Sequence, residues 1–134
     1  MTEVKGVGAV ILNSSNEVLL TRRKPDCDFY PDCWFLPCGT VESGEDPKAT
    51  VVREMEEELC IAVEIIRELI RRTNDGGYDE IIYECAIMKG GPVNNDTDEL
   101  SEVRYFPLNA LPEGIHSKIT ELLEGILNKK EKMA

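Results

Sequence analysis

The most constraining feature of this sequence is a short segment that joins a helix start signal to a dense run of glutamates. Asp46 precedes Pro47, which is an N-cap side chain followed by proline at the first helical position. At about 100° per residue, Glu54, Glu57 and Glu58 lie on one side of such a helix. The opposite side carries the apolar residues Ala49, Val52, Met55 and Leu59. The segment therefore predicts an amphipathic helix with a buried apolar back and an exposed carboxylate front.

The crowding of acidic side chains on this helix calls for a counter-charge. Carboxylates at positions i, i+3 and i+4 repel one another by a few tenths of a kcal/mol per pair. Glu56 adds a fourth negative charge, and Arg53 is the one basic residue between positions 49 and 59. A hard divalent cation such as Mg²⁺ relieves the repulsion, because it takes oxygen ligands and keeps waters that leave room for a phosphate substrate. These residues alone leave open the alternative of a solvated acidic helix without a metal.

The spacing around this helix resembles the Nudix box of the Nudix hydrolase superfamily, over residues 39–61. The matching residues in chain order are Gly39, Glu45, Arg53, Glu54, Met55, Glu57, Glu58 and Ile61. One position departs from the pattern, because Cys60 stands where the box has glycine. Glycine there accommodates a left-handed backbone at the helix end, which costs another residue about 1 kcal/mol. The departure removes no implied ligand and concerns the turn after the helix.

The resemblance implies a metal-dependent hydrolase. Nudix hydrolases cleave a nucleoside diphosphate linked to another moiety, by attack of water on a phosphorus with Mg²⁺, for which Mn²⁺ is a substitute. Glu54, Glu57 and Glu58 are then the metal ligands and catalytic carboxylates, and Glu54 is the preferred general base among several candidates. The backbone carbonyl of Cys38 is implied as a further ligand. A late loop often supplies another, for which Glu99 is preferred; the other candidates are Asp98 and Glu102.

Further site residues are expected around this cluster. The resemblance implies that Arg53 holds the carboxylates in shape, and that Gly39 and Glu45 support the cofactor-binding loop. A separate basic run contains Arg22 and Arg23. Because arginine binds phosphate bidentately, these two are candidates for substrate contact, and a solvated loop is the alternative.

The substrate is less constrained than the chemistry. The small domain looks most like the MutT-type enzymes, which convert a (deoxy)nucleoside triphosphate to a monophosphate and pyrophosphate. Tyr78 lies seventeen residues beyond Ile61, close to where dinucleoside-polyphosphate hydrolases carry a tyrosine. A dinucleoside-polyphosphate hydrolase, an ADP-ribose hydrolase and a non-catalytic nucleotide-sensing Nudix module therefore remain as alternatives.

Composition limits the partners. The chain has 134 residues and a net charge of -11, which fits one domain over residues 1–134 and opposes binding to polymeric nucleic acid. No apolar run reaches the length of a membrane span, and no signal-peptide pattern is seen. Five cysteines without a CxxC pair predict reduced thiols and a cytoplasmic location. A homodimer is one expected assembly, since many Nudix relatives pair.

The remaining sequence predicts strands around the central helix and a second helix near the end. The expected strands are residues 6–13, 17–21, 34–37, 61–73, 78–89 and 99–107, with the first two forming a hairpin. Residues 117–129 fit an amphipathic helix, followed by a frayed tail at about 129–134. The predicted class is α/β, the Nudix fold, with an α/β/α sandwich around a mixed β-sheet.

Overall fold

The computed structural model describes residues 3–28, 30–73 and 76–133. The elements in chain order are β1 (Val4–Ile11), β2 (Glu17–Arg23), β3 (Trp34–Phe35), β4 (Cys38–Thr40), α1 (Pro47–Leu59), β5 (Ala62–Thr73), β6 (Asp79–Lys89), β7 (Leu100–Pro107) and α2 (Ser117–Met133). The chain divides into two compact units. Unit 1 comprises Met1–Ile11 and Pro37–Asp96, and unit 2 comprises Leu12–Leu36 and Thr97–Ala134.

Unit 1 is a four-stranded mixed sheet with α1 packed on it. The strand order is β4-β1-β6-β5, in which β1 and β6 are parallel and the other neighbours are antiparallel. Helix α1 contacts β1, β4 and β5. Strand β1 is central, and Val7, Ala9, Val10 and Ile11 are all buried. A near-continuous apolar run of this kind is typical of a strand covered on both faces.

The β5–β6 ladder contains three register shifts, between Ala62 and Val63, Ile65 and Arg67, and Glu68 and Ile70. Each shift leaves one residue without a partner in the ladder, as in a β-bulge. Two of the unpaired residues lie on β5, which is the edge strand of this sheet.

Unit 2 is a three-stranded antiparallel sheet together with α2. The order is β3-β2-β7, and the middle strand carries Val18, Leu19 and Leu20 at 0% exposure. Trp34 is buried and meets Phe106 edge to face, with ring centroids 4.8 Å apart. Trp34 is therefore a core residue of this unit.

The predicted hairpin of the first two strands is wrong. The turn between them exists, because the Asn13 side-chain oxygen accepts hydrogen bonds from the Ser15 and Glu17 backbone N–H groups. However, β1 and β2 belong to different sheets, and Leu12 and Val18 form one isolated bridge. Each strand is buried along most of its length and takes a central position in its own sheet, between two other neighbours.

The frayed tail predicted at about 129–134 is also wrong for residues 129–133, because α2 remains helical to Met133; residue 134 lies outside the described residues. Lys130 and Lys132 lie in its last turn, where positive charge stabilises a helix through its dipole. His116 caps the start, since its Nδ1 accepts from the Lys118 backbone N–H at 3.2 Å. No helix within the described ranges is long and apolar enough to cross a membrane.

The predicted strand at 61–73 is confirmed as β5, which pairs antiparallel with β6. The Asn-Asp-Gly-Gly run at 74–77 is a turn signal, but it falls partly outside the described residues. The mixed α/β class is confirmed.

Candidate functional site

Helix α1 begins and ends where its sequence signals lie. The Asp46 carboxylate accepts from the Lys48 backbone N–H at 3.1 Å, and Pro47 is the first helical residue. Cys60 ends the helix in the left-handed conformation, with φ 58° and ψ 36°. The turn therefore keeps the backbone that glycine favours at this position, at a cost of about 1 kcal/mol for cysteine.

The buried side of α1 differs from the predicted apolar back. Ala49 and Val52 are exposed, whereas the buried residues are Thr50, Val51, Met55, Glu58 and Leu59. Val51, Met55 and Leu59 form the stripe that packs inward, at i, i+4 and i+8. Glu58 lies at the edge of that stripe, so it is buried at 9% exposure and does not stand on an exposed front.

Gly39 allows the Glu54 side chain to lie directly against β4. A Cβ atom at Gly39 would sit 2.2 Å from Glu54 Cγ and 2.5 Å from Cδ. Any side chain at this position would displace the Glu54 carboxylate, so glycine is required for the present placement of Glu54 against β4. Cys38, whose carbonyl is the predicted ligand, is the preceding residue of β4 and pairs with Gly8.

Arg53 joins the carboxylates of the site into one network. Its Nε and Nη2 donate to the two oxygens of Glu45 at 2.7 and 2.9 Å. Its Nη1 donates to Glu54 Oε1 and Glu57 Oε2, both at 3.1 Å. Nη2 also reaches the Thr40 carbonyl at 3.3 Å. A single guanidinium therefore fixes three glutamates, and bidentate contacts of this kind are strong and directional.

The charges in this network are reflected in the pKa values. The hydrogen bond from Arg53 lowers the pKa of Glu45 to about 2, with a further contribution from the Thr50 hydroxyl. The same bond to Glu45 raises the pKa of Arg53. Glu45 is thus a permanent anion near neutral pH, and it balances a permanent cation.

Glu54 and Glu58 form the part of the site suited to a cation. The Glu54 side chain is 15% exposed, and burial raises its pKa, while a hydrogen bond shared with the Glu58 carboxyl group lowers it in part. Two carboxyl groups in contact need a proton or a cation between them. The atoms that would bind a metal here are all carboxylate oxygens, which is the ligand type that Mg²⁺ takes.

Glu57 has a different environment, because it is 60% exposed and held by Arg53. Among residues 3–28, 30–73 and 76–133, no group of three or more His, Cys, Asp or Glu side chains is arranged as metal ligands. The structure therefore brings Glu54 and Glu58 together, whereas the Glu57 carboxylate is directed to Arg53.

The C-terminal end of α1 is held by residues that sequence reasoning did not identify. Val93 donates its backbone N–H to the Leu59 carbonyl at 3.0 Å. Asn95 donates its backbone N–H to the Glu58 carbonyl at 2.8 Å and its side-chain amide to the Glu57 carbonyl at 2.9 Å. The segment 90–96 thus caps three successive carbonyls that the helix leaves unpaired. The Asn-Asn pair was a turn signal, but nothing in it specified this partner.

The remaining predicted residues belong to unit 2. Arg22 is ion-paired to Asp32 at 3.1 Å. The Arg23 side chain is buried at 6% exposure, and its Nη2 lies 3.9 Å from Glu99 Oε2. Glu99 is exposed, and Glu102 is paired with Arg104 at 3.2 Å. Their roles toward substrate and metal stay predictions.

Comparison with known proteins identifies the family. The NUDIX domain model matches residues 2–125. An uncharacterized Nudix hydrolase of Pseudomonas aeruginosa is 32% identical over 114 residues, which is 81% of this chain and 66% of that protein. The RNA pyrophosphohydrolase of Pelagibacter ubique is 42% identical over 64 residues, 47% of this chain and 39% of that protein. The corresponding match to the Rhodospirillum rubrum RNA pyrophosphohydrolase spans 31% of its length.

Solved structures agree with this result. The MutT NUDIX hydrolase of Burkholderia pseudomallei has a TM-score of 0.75 and 29% identity, covering 92% of this chain and 97% of that one. The MutT protein of Methanosarcina mazei Go1 has a TM-score of 0.78 and 21% identity, covering 96% of each chain, and shows likeness of fold alone. Because the family model matches nearly the whole sequence, the chain belongs to the Nudix hydrolase family.

Proposed function

We propose that this protein is a divalent-metal-dependent hydrolase of nucleotides in which a nucleoside diphosphate is linked to another moiety. The most favoured reaction converts a (deoxy)nucleoside triphosphate to a monophosphate and pyrophosphate. The observation that carries the proposal is the group of three glutamates on α1, in which Arg53 holds Glu54 and Glu57 at 3.1 Å and Glu58 is buried on the same helix. Carboxylates this close repel one another, and a shared cation relieves that repulsion.

Mg²⁺, with Mn²⁺ as a substitute, fits this donor set. Glu54, Glu57 and Glu58 would hold it, and the backbone carbonyl of Cys38 is a further candidate ligand. The bound metal would neutralise charge on the diphosphate and lower the pKa of a coordinated water.

The protein residues have complementary roles in the proposed reaction. Water attacks a phosphorus of the anhydride, its proton passes to a carboxylate, and the bond to the leaving phosphate breaks. Glu54 is the proposed base, because Gly39 lets its carboxylate lie partly shielded from solvent against β4. Arg53 is a positioning group, since its donors are occupied by Glu45, Glu54 and Glu57.

A second candidate function is the removal of pyrophosphate from RNA. It is favoured by the 42% identity over 64 residues to an RNA pyrophosphohydrolase. It is opposed by the net charge of -11, because polymeric nucleic acid is bound mainly through basic surfaces. A mononucleotide neutralised by its metal does not face that repulsion.

Several finer predictions are kept as part of the proposal. Arg22, which is 32% exposed, is a better candidate for substrate contact than the buried Arg23. Glu99 is retained as a candidate ligand from the late loop. Residues 1–134 are proposed to form one domain, which the match of the family model over residues 2–125 supports. A homodimer and a cytoplasmic location are likewise retained.

A substrate panel with product identification tests this proposal. It contains canonical and oxidised nucleoside triphosphates, dinucleoside polyphosphates, ADP-ribose, NADH and a short RNA with a 5′-triphosphate. Each is incubated with Mg²⁺, Mn²⁺ or a chelator, and the products are separated by chromatography. We expect metal-dependent release of a monophosphate and pyrophosphate from a triphosphate. Tight nucleotide binding without product release over hours would instead indicate a sensing module.

A further inference from the structure

Thr50 is a buried polar residue on the packed side of α1. It is 0% exposed, and it lies outside the positions that carry the family resemblance. Threonine is a modest helix former, and Thr50 is the fourth residue of α1, so its complete burial there needs a reason beyond local propensity. The reason is found in the partner of its hydroxyl group.

The Thr50 hydroxyl donates to Glu45 Oε1 at 2.7 Å. The Asp46 carbonyl is also within range, at 3.1 Å. That carbonyl already accepts the Thr50 backbone N–H at 3.0 Å. Since the hydroxyl has a single hydrogen and the carboxylate is both closer and charged, the bond to Glu45 dominates.

Glu45 then transmits this constraint to Arg53. Glu45 Oε1 accepts from the Thr50 hydroxyl at 2.7 Å, from Arg53 Nη2 at 2.9 Å and, more weakly, from the Glu42 backbone N–H at 3.2 Å. Glu45 Oε2 accepts from Arg53 Nε at 2.7 Å. The planar fork of Arg53 fits Glu45 in one orientation, and that orientation directs Nη1 toward the carboxylates of α1. A rotation of the Glu45 carboxylate would therefore turn the guanidinium away from them.

We propose that Thr50 is a positioning residue for the carboxylates of α1, acting through Glu45 and Arg53. The inference rests on the proposed function, because its consequence is a cation site held in the correct shape. Outer contacts that orient metal ligands typically change metal affinity by about 10–100-fold when removed. Thr50 acts through two intermediates, so we expect about the lower end of that range.

Four variants test the hydroxyl separately from the packing. Thr50→Val replaces the hydroxyl by a methyl group of similar size, and Thr50→Ser keeps the hydroxyl. Thr50→Ala differs from Thr50→Ser by one oxygen, so this pair remains informative if Thr50→Val does not fold. The matched control is Thr120→Val in α2, because the Thr120 hydroxyl also donates to the carbonyl four residues earlier, at 3.3 Å, but within the described part of the chain it bonds no carboxylate.

The main measurement is Mn²⁺ binding to the protein without nucleotide, from the electron paramagnetic resonance signal of the free ion. We expect Thr50→Val and Thr50→Ala to bind about tenfold more weakly than their hydroxyl-bearing counterparts, and Thr120→Val to bind like wild type. The Mg²⁺ concentration for half-maximal turnover should rise by the same factor. Circular dichroism verifies that each variant is folded.

Each result decides the matter. Equal Mn²⁺ affinity across the four proteins would overturn the inference, as would equal losses in Thr50→Val and Thr50→Ser, because the methyl packing would then be responsible. If the wild-type protein binds Mn²⁺ but turns over no substrate in the panel, the proposed reaction fails while the positioning role is still measured. No Mn²⁺ binding by the wild type would overturn both.

Discussion

The two ends of helix α1 are held in place by different kinds of interaction. At its start, charged side chains are hydrogen-bonded to one another. Glu45, just before the helix, forms a bidentate pair with Arg53, which also binds Glu54 and Glu57. At its finish, neutral backbone carbonyls are capped by the segment 90–96, chiefly through Asn95. The first arrangement sets where the acidic groups point, and the second sets where the helix ends. The two ends should therefore respond differently to substitution, pH and salt.

The largest effect is expected from the exposed acid that Arg53 holds. Glu57→Gln keeps the size of the side chain but removes the charge that the proposed cation needs. We expect turnover to fall by at least about 100-fold, with little change in the thermal unfolding midpoint. Glu56→Gln is the control, because Glu56 is exposed on the same helix. Unchanged turnover in Glu57→Gln would remove the assignment of this cluster as the active site.

The next largest effect is expected at Gly39. Gly39→Ala places a Cβ 2.2 Å from Glu54 Cγ, so Glu54 must move, and overpacking of this kind costs about 1–3 kcal/mol. We expect lower stability in urea unfolding and at least about a tenfold loss of turnover. Gly125→Ala in α2 is the matched control, since its Cβ would meet no atom within 4 Å. It should stabilise the protein by about 0.5–1 kcal/mol; equal losses in both variants would contradict the steric argument.

The charged end of α1 should also respond to acid. The folded-state pKa of Glu45 is lowered from 4.5 to about 2, so the folded protein binds fewer protons there than the unfolded chain. Its stabilising contribution is present above pH 4.5 and is lost as the pH falls toward about 2. Urea unfolding between pH 2 and 6 should have a smaller pH dependence in Glu45→Gln than in wild type. The same slope in both proteins would argue against a charged interaction.

The smallest effect is expected at the neutral end. Asn95→Ala removes the side-chain bond to the Glu57 carbonyl but leaves the backbone bond to Glu58. We expect a loss of about 0.5–1.5 kcal/mol that does not vary with pH, and faster amide hydrogen exchange at Cys60, whose N–H bonds the Glu56 carbonyl. Asn109→Ala, at an exposed position in unit 2, is the control. A loss of stability in Asn95→Ala that varied with pH would contradict the proposed difference between the two ends.

The same contrast explains which features could be predicted from sequence. The start of α1 depends on neighbouring residues, and Asp46 and Pro47 predicted it correctly. The strand at 61–73 was also predicted, because the segment is rich in β-branched residues, although its hydrophobic periodicity alone does not distinguish a strand from a helix. These features are local, because the residues that determine each of them are close together in the sequence.

Features that depend on distant partners were missed or misjudged. The buried side of α1 includes Thr50 and Glu58, two polar residues that a pattern of apolar positions places outside. Their burial is favourable only because Glu45 and Glu54 lie beside them in the folded chain. Asn95 caps α1 through the Glu57 carbonyl, 38 positions earlier in the sequence. Likewise β2, which follows the turn at Asn13, pairs in a different sheet from β1. Thr50 lies four residues before Glu54 and eight before Glu58, in the same row of the helix, and this spacing was the one signal that could have indicated the network.

The irregular pairing of β5 has a consequence for self-association. An edge strand exposes a row of unpaired donors and acceptors on which another chain can extend the sheet. Here β5 itself carries two bulged residues, Ile66, which is 50% exposed, and Leu69, so its outer edge gives an incoming chain no regular row of hydrogen-bonding partners. Any dimer of this protein should therefore form through side-chain contacts elsewhere and leave the outer border of this sheet unextended.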